Sequence, residues 1–203
     1  MCASQITNIA LVGIGSIGKR HHMAIEQIDN VNLAGIVDLS KHAKIYCDDK
    51  KIPLYENINN LKIDHNIDGV IISTPTILHH ENSIAALKLG LDVLIEKPIS
   101  ATVNEAKEID KVARDNNCKV LVGHQRRFYP LVLKTKKIIS DKKIGKVIGL
   151  SGVWGLRKDK DYFEPEWRKK VSAGPIITNL IHDIDYLRFI FGEIHSVSSF
   201  SSN

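Results

Sequence analysis

The sequence predicts a doubly wound α/β domain with a parallel sheet, followed by an incomplete α+β domain. Short apolar, β-rich segments alternate with helical segments up to residue 123, as expected of parallel strands joined by crossover helices. A glycine-rich turn directly follows the first of these strands. After residue 123 only two helices and two strands are expected, which is too few for a separate covered sheet of normal size. We therefore place the domains at 1–123 and 124–203.

The elements of the first domain follow from apolar runs and from the residues that border helices. Strands are expected at 6–13, 32–38, 52–55, 68–75, 91–96 and 119–123. Helices are expected at 16–30, 40–50, 79–90 and 102–117. Ser40 is a favourable N-cap, and Gly90 suits a helix C-terminus. The strands are nearly uninterrupted apolar runs because parallel strands are covered on both faces.

The second domain is predicted from a change in the pattern. We expect a helix at 129–141, an alternating strand at 146–157, a polar loop at 158–174, an apolar helix at 175–191 and a strand at 194–202. The second helix has an apolar stripe that should be buried, formed by Ile177, Leu180, Ile181, Ile184, Leu187 and Phe191. Thr178, His182 and Asp185 follow the same spacing on another face, with Asn179 beside them.

The composition is that of an ordinary globular protein, with 43% apolar and 25% charged residues. The 28 basic residues are interspersed with 23 acidic ones, and segment 134–143 has the spacing of a solvated helix face, so no nucleic-acid partner is expected. No apolar run reaches about 18 residues and no basic segment precedes the first one, which argues against a membrane span and a signal peptide. Cys2, Cys47 and Cys118 lack metal-like spacing and favour a reducing compartment. We expect a cytoplasmic protein.

The glycine-rich turn has the form G-x-G-x-x-G, with Gly13, Gly15 and Gly18 between the first strand and the first helix. Such glycines allow a tight turn, let a pyrophosphate approach the backbone and let the helix pack closely on the strand. The helix start at Ser16 and Ile17 would present N–H groups and the positive end of the helix dipole to phosphates. In this context the turn predicts a dinucleotide site.

Asp38 closes the second strand, where a carboxylate can bind the ribose hydroxyls of the adenosine. Its negative charge should repel a 2′-phosphate, so NAD is expected in preference to NADP. Lys41 lies close enough in the sequence to leave NADP open.

The fourth strand ends on Ser73, Thr74 and Pro75, and His79 follows shortly afterwards. Ligands of open parallel sheets bind beyond the carboxyl ends of the strands, so these residues are candidates for lining the nicotinamide pocket. A polar helix start with a surface histidine accounts for the same residues equally well.

The fifth strand ends on Glu96, Lys97 and Pro98, at the edge where cofactor and substrate would meet. An ammonium group there can hydrogen-bond the oxygen of an alcohol or carbonyl and stabilise negative charge that develops on it. Glu96 would keep the lysine charged and oriented and would help to form the cofactor site, and Pro98 would stiffen the turn. A salt bridge at a strand end is the alternative interpretation.

Four motifs occur in one order: the glycine turn, T-P-x-x-x-H at 74–79, E-K-P at 96–98 and "GHQRRFYP" at 123–130. In this order, and roughly at these distances, they resemble the Gfo/Idh/MocA family of oxidoreductases over essentially the whole chain. The resemblance implies an NAD(P)-binding Rossmann domain and then an α/β domain whose open sheet covers the active site and often mediates dimerisation. Most members act on sugars, polyols or related hydroxy compounds, including nucleotide sugars.

By that resemblance Lys97 is a catalytic or substrate-orienting residue, and His182 matches the histidine of a second family motif. Members carry an aspartate four residues before this histidine, where this chain has Thr178. The departure argues against a proton relay through a carboxylate at that point. Plausible substrate-side residues are Arg126, Arg127, Tyr162, Trp167, Arg168, Thr178, Asn179 and Asp185. Surface ion pairs explain the arginines equally well, and no third ligand accompanies His182 and Asp185, so no metal is expected.

We therefore expect an NAD(P)-dependent oxidoreductase that moves a hydride between nicotinamide and a secondary alcohol or ketone of a sugar-like substrate. In the oxidising direction His182 would be the general base and Lys97 would stabilise alkoxide character. Family members are longer than this chain, so most of the second sheet is expected to be missing. We expect the incomplete second sheet to pair with a second copy of this chain in a homo-oligomer, or with a complementing chain. The alternative is a fragment or remnant that binds a dinucleotide without catalysis.

Overall fold

The computed structural model describes residues 6–155, 157–164, 166, 174 and 176–200. Contacts between Cα atoms separate the chain into two compact units, residues 1–123 and 124–203. The first unit contains a six-stranded sheet. In the second unit, all the regular secondary structure among the described residues is helical.

The sheet of the first unit is parallel throughout, with the strand order β3-β2-β1-β4-β5-β6. The strands are β1 (Thr7–Val12), β2 (Val31–Val37), β3 (Leu54–Tyr55), β4 (Gly69–Ile72), β5 (Asp92–Ile95) and β6 (Val120–Val122). The predicted doubly wound parallel sheet is thereby confirmed. The strand order reverses between β1 and β4, and this switch point is where sheets of this class bind their ligands.

Five helices connect the strands of the first unit: α1 (Ser16–Ile25), α2 (Lys41–Lys50), α3 (Ile58–Asp64), α4 (His79–Lys88) and α5 (Val103–Asp115). Helix α1 ends earlier than expected, because residues 26–30 form turns that return the chain to β2. Helix α3 is not predicted by the sequence pattern, since a helix of about two turns carries too little periodicity to be recognised. The side chain of Asn57 caps it by accepting a hydrogen bond from the N–H of Asn60.

The core of the first unit lies on both faces of the sheet. Successive side chains of a strand point to opposite faces, so neighbours on β1 enter different clusters. Leu11 packs with Ile36 and with Cys47 of α2, and Ala10 belongs to the larger cluster that contains Ile72. All of these residues are at most 1% exposed. The near-continuous apolar strands of the sequence are explained by this two-sided burial.

The register of the sheet brings several strand ends to one edge. Val12 lies opposite both Val37 and Ile72, and Ile72 lies opposite Ile95. The residues that follow these positions are Gly13, Asp38, Ser73 and Glu96. Four sequence candidates therefore stand side by side at the carboxyl edge of the sheet, because parallel strands end in the same direction.

The second unit contains the two expected helices, α6 (Pro130–Ser140) and α7 (Ile181–Phe191). They pack against each other, and Lys136 places its ammonium 3.6 Å from the ring centroid of Phe189. A short 3₁₀ turn covers Lys160–Phe163, and a π-helical turn, Ile176–Leu180, leads into α7. Within the described part of the chain, no helix is long and apolar enough to cross a membrane.

Two expectations for the second unit differ from the structure. The segments expected as strands, 146–157 and 194–202, contain no strand in the part of them that is described. A strand requires a partner for its backbone N–H and C=O groups, and no ladder forms among the described residues of this unit. Side chains in these segments, such as Ile148 and Val153, are almost fully exposed.

The apolar stripe of the second helix is also less buried than expected. Leu187 and Phe191 are exposed, whereas Asp185 and Ile190 are the buried residues of α7. The reason is that α7 packs on α6, and no sheet covers its stripe among the described residues.

Candidate functional site

The three glycines of the turn have different surroundings. Gly13 has a φ of +90°, and a Cβ there would lie 2.9 Å from the backbone nitrogen of Thr74. A Cβ on Gly18 would lie 2.1 Å from the carbonyl oxygen of Gly13, so α1 can approach β1 only with glycine at this position. A Cβ on Gly15 would meet nothing within 4 Å. Gly13 and Gly18 thus permit the turn and the packing of the helix, and Gly15 faces open space where a pyrophosphate could approach.

A cavity of about 660 Å³ lies beside this turn at the carboxyl edge of the sheet. The predicted cofactor residues that line it are Gly13, Gly15, Ser16, Asp38, Ser73, Thr74 and Pro75. Ile17, Gly18, His79, Glu96 and Lys97 do not line it. The cavity joins two glycines, a strand-end acid and the β4 strand end at the switch point, which is the arrangement that a dinucleotide requires. These residues fit the cofactor.

The cavity is also lined by polar residues that the sequence did not predict as cofactor residues. They are Lys19, Ser40, His42, Glu56 and Asn82. Lys19 lies one turn into α1, and His42 lies in the first turn of α2. Their signal in the sequence is weak, because polar residues are common at strand ends such as that before Glu56 and at the start of solvated helices.

Asp38 is fixed by the backbone of the glycine turn. Its carboxylate accepts a hydrogen bond of 2.9 Å from the N–H of Ile14 and one of 2.8 Å from the N–H of Ser40. Each carboxylate oxygen retains a further lone pair, because an ionised carboxylate can accept about four hydrogen bonds. Asp38 is therefore oriented toward the cavity and can still accept bonds from ribose hydroxyls.

The end of β4 supports the same turn. The hydroxyl of Ser73 donates to the carbonyl of Gly13 at 2.7 Å, and the amide of Asn82 donates to the hydroxyl of Thr74 at 3.2 Å. Pro75 is exposed beside them. Ser73 thus acts on the shape of the turn, and Thr74 and Pro75 form part of the cavity wall.

Glu96 contacts two groups that the sequence did not predict as its partners. Its carboxylate contacts Nε2 of His21, on α1, at 2.9 Å, and accepts a hydrogen bond of 3.2 Å from the backbone N–H of Lys97. Burial raises the pKa of Glu96, but the hydrogen bond from His21 and the charges of His21 and Lys97 outweigh that effect and lower it. A Cβ on Gly123 would lie 3.2 Å from this carboxylate, so glycine there leaves room for it. His21 is a site residue that the sequence reasoning missed.

His79 is buried, with 1% of its surface exposed. Its two ring nitrogens each lie 2.8 Å from a carbonyl oxygen, Nδ1 from that of Pro98 and Nε2 from that of Thr74. Burial lowers the pKa of His79, although the two carbonyls and the charge of Glu96 act in the opposite direction. The imidazole therefore lies behind the cavity wall and between two loops of the site.

Two of the expected substrate-side residues contact each other in the second unit. The guanidinium of Arg127 binds both carboxylate oxygens of Asp185, with Nε 2.9 Å from Oδ2. Asp185 is 4% exposed, and burial raises its pKa, but the hydrogen bonds from Arg127 and the nearby charges of His124 and Arg127 outweigh this and lower it. Arg126 pairs with Asp183 at 3.2 Å. These arginines therefore have structural partners, and their contact with substrate stays a prediction.

The remaining candidates of the second unit are near the start of α7. Thr178 and Asn179 lie in the π-helical turn, where the amide of Asn179 donates to the hydroxyl of Thr178 at 2.9 Å. His182 is partly buried in the first turn of α7. Tyr162 lies in the 3₁₀ turn, with the ammonium of Lys158 4.6 Å from its ring centroid. Trp167 and Arg168 fall outside the described residues.

The two residues predicted to be catalytic belong to different units. Lys97 follows β5 in the first unit and is partly buried, and His182 belongs to the second. That these two side chains meet at one substrate atom stays a prediction. Among the described residues, no group of three His, Cys, Asp or Glu side chains is arranged to hold a metal ion.

Comparison with known proteins gives two family matches. Residues 7–124 match the oxidoreductase family with an NAD-binding Rossmann fold, Gfo/Idh/MocA, and residues 132–203 match a Gfo/Idh/MocA C-terminal domain. The resemblance stated from the four motifs is thereby confirmed.

Individual relatives agree with this assignment. Inositol 2-dehydrogenase of Rhizobium meliloti is 30% identical over 183 residues, which cover 90% of this chain and 54% of that protein. Glucose-6-phosphate 3-dehydrogenase of Bacillus subtilis is 26% identical, with 90% and 53% covered. The crystal structure of myo-inositol 2-dehydrogenase of Lactobacillus plantarum is similar with a TM-score of 0.79 and 28% identity, over 93% of this chain and 57% of that one.

The chain spans about half the length of the relatives that it matches. Both family matches occur in the expected order, and the first alone covers more than half of the residues. From the glycine turn, the strand order and these two matches together, the chain belongs to the Gfo/Idh/MocA family of NAD-binding oxidoreductases.

Proposed function

We propose that this chain carries the NAD site and the catalytic lysine of a dehydrogenase that interconverts a secondary alcohol and a ketone on a sugar-like substrate in the cytoplasm. The observation that carries the proposal is the 660 Å³ cavity at the switch point, in which the glycine turn, Asp38 and the end of β4 meet. Lys97 follows the next strand at the same edge.

The cavity supports NAD as the cofactor. Gly15 leaves space at the start of α1, whose N–H groups can bind a pyrophosphate. Asp38 lies where it can accept bonds from the adenosine ribose, and Glu56 adds a second acidic group to the lining. Both carboxylates would repel a 2′-phosphate, so NAD is the preferred form. Lys19 and His42 also line the cavity and could weaken that preference.

Two side chains of this protein would act on the substrate. When bound, NAD supplies the acceptor for the hydride of the carbinol carbon. Lys97 would donate a hydrogen bond to the carbinol oxygen and stabilise the negative charge that develops on it. His182 would accept the hydroxyl proton, a general-base role that histidine side chains often serve in enzymes.

The substrate class rests on the relatives. Those reported above are named as dehydrogenases of inositol and of glucose 6-phosphate, which are polyhydroxylated ring compounds. We propose a substrate of the same chemical kind, a polyol, sugar, sugar phosphate or nucleotide sugar. Thr178, which replaces the acid of the family motif, would contribute a hydroxyl rather than a carboxylate to substrate binding.

The second candidate function is dinucleotide binding without turnover. It is favoured by the cavity, which lies in the first unit and has neither Lys97 nor His182 among its lining residues.

The test begins with a titration of NADH into the purified chain, in which the change in nucleotide fluorescence measures binding. A panel of inositols, sugar phosphates and nucleotide sugars is then assayed with wild type, Lys97→Met and Lys107→Met. Lys107 is an exposed residue of α5 and serves as the matched control. Turnover that Lys97→Met abolishes and Lys107→Met preserves supports the dehydrogenase.

The other outcomes separate the two candidates. Binding of NADH without turnover of any compound supports the dinucleotide-binding module. Turnover that survives Lys97→Met removes the catalytic role of that lysine. Absence of NADH binding by a folded chain contradicts both functions.

A further inference from the structure

Two buried or partly buried histidines contact the segment around Lys97 from different helices. His79 belongs to α4 and is 1% exposed. His21 belongs to α1, and 21% of its side chain is exposed. Neither is among the residues that line the cavity.

His79 lies between the two loops that follow β4 and β5. Its Nε2 is 2.8 Å from the carbonyl oxygen of Thr74, and its Nδ1 is 2.8 Å from that of Pro98. Carbonyl oxygens only accept hydrogen bonds, so a neutral ring donates to one of them and a protonated ring donates to both. The charged groups that face the ring are Glu96 and Lys97. A protonated ring, or a neutral ring with its hydrogen on Nδ1, therefore holds the carbonyl of Pro98, the residue after Lys97.

His21 acts on the other side of the lysine. Its Nε2 is 2.9 Å from one oxygen of Glu96, and the other oxygen of Glu96 accepts the backbone N–H of Lys97. Only 17% of the Glu96 side chain is exposed. The backbone on the N-terminal side of Lys97 is therefore connected to α1, the helix that begins at the glycine turn.

We propose that His21 and His79 are positioning residues for Lys97, which hold the backbone before and after it and so direct its ammonium toward the substrate. The inference rests on the proposed function, in which Lys97 contacts the reacting oxygen. The same two helices carry cavity residues, Lys19 on α1 and Asn82 on α4. The same two helices thus position both the wall of the cavity and Lys97. A small displacement of either helix can lower the reaction rate by a large factor.

The test observes Lys97 directly and does not depend on turnover. Lysine labelled with ¹³C at Cε is incorporated into the chain, and the NMR signal of Lys97 is assigned as the one lost in Lys97→Met. Spectra are then compared for wild type, His21→Ala, His79→Gln and His80→Gln. His80 is the matched control, because it follows His79 in α4 and pairs with Glu108 instead. Circular dichroism checks that each variant is folded.

We expect His21→Ala and His79→Gln each to shift the Lys97 signal or split it into several, while His80→Gln and the signals of the other lysines stay unchanged. Both variants should also weaken NADH binding no more than about tenfold, since the cavity residues themselves are kept. If His79→Gln does not fold, the proposal is tested with His21→Ala alone, because His21 is less buried than His79.

A Lys97 signal that is identical to wild type in the folded variants overturns the proposal and leaves the proposed function intact if NADH still binds. A signal that moves in the variants of a chain that binds no NADH supports the positioning role and contradicts the proposed function. The two failures are therefore distinguishable.

Discussion

Replacing Gly18 and Gly15 by alanine, one at a time, should produce opposite defects within the same motif. A Cβ at position 18 would lie 2.1 Å from the carbonyl oxygen of Gly13, more than 1 Å closer than ordinary van der Waals contact, and also 3.1 Å from the hydroxyl of Ser73. A Cβ at position 15 would contact nothing within 4 Å. Gly18→Ala should therefore disturb the fold, and Gly15→Ala should disturb only the cofactor site.

The magnitudes follow from the two environments. Overpacking against a rigid backbone costs about 3 kcal/mol, and alanine in a helix recovers about 1 kcal/mol relative to glycine. The net loss for Gly18→Ala is about 2 kcal/mol, which corresponds to about 4–8 °C in Tm for a chain of this size. Gly15 has a φ of −67°, which alanine readily adopts. Gly15→Ala should therefore change the free energy of unfolding by less than about 0.5 kcal/mol. Its methyl group would occupy the path of the pyrophosphate and should weaken NADH binding at least tenfold, about 1.4 kcal/mol.

Thermal unfolding by circular dichroism without nucleotide and NADH titration by fluorescence measure the two effects separately. The reasoning fails if Gly18→Ala unfolds at the wild-type temperature, because the helix would then have room for a side chain. It also fails if Gly15→Ala binds NADH as tightly as wild type, because no phosphate would then approach that position.

Three further predictions concern single side chains. Asp38→Ala should weaken NADH binding about tenfold and reduce the preference for NADH over NADPH, as measured by fluorescence titration with both nucleotides, since the carboxylate faces the cavity. Arg127→Ala should cost about 1–2 kcal/mol in denaturant unfolding, after allowance for solvent screening at the arginine, because it leaves Asp185 buried without its main partner. The lowered pKa of Asp185 means that the unfolded chain binds more protons in acid, so wild type should lose this stabilisation as the pH falls below about 4, and Arg127→Ala should lose less. Thr102→Ala should cost about 1 kcal/mol, because the Thr102 hydroxyl and the Glu105 carboxylate form the capping box of α5.

Each of these has a matched control. Asp38→Asn keeps an acceptor without the charge and should lie between wild type and Asp38→Ala. Arg126→Ala breaks a more exposed pair with Asp183 and should cost less than Arg127→Ala. Thr102→Ser keeps the capping hydroxyl and should restore most of the stability. An Asp38→Ala variant with unchanged nucleotide preference, an Arg127→Ala variant no less stable than Arg126→Ala, or a Thr102→Ser variant as unstable as Thr102→Ala would each contradict the reasoning.

Much of the first unit could be predicted because its signals are local. An apolar run of four to seven residues buries both faces of a parallel strand, and the alternation with helices leaves few topologies once crossovers are right-handed. The cap of α2 was likewise readable, since Ser40 accepts the N–H of Ala43 as an N-cap residue does. Helix α3 escaped prediction because its seven residues carry little periodicity.

The second unit was harder for a physical reason. Alternation in 146–157 and 194–202 predicts strands, but a strand forms only where another strand pairs with it, and the described residues of this unit supply none. The same lack of a covering sheet leaves Leu187 and Phe191 exposed, although their spacing predicted burial.

Part of the lining of the cavity could be predicted from the order of the strands and the motifs that end them. Gly13, Asp38 and Ser73 had to share one edge once the sheet was parallel, and the cavity they line followed from that. The contacts that connect the backbone around Lys97 to α1 and α4 could not be predicted in this way. His21 and Glu96 are 75 positions apart in the sequence, and His79 and Pro98 are 19 apart. No local propensity couples residues at such separations, and packing of α1 and α4 against the sheet brings them together.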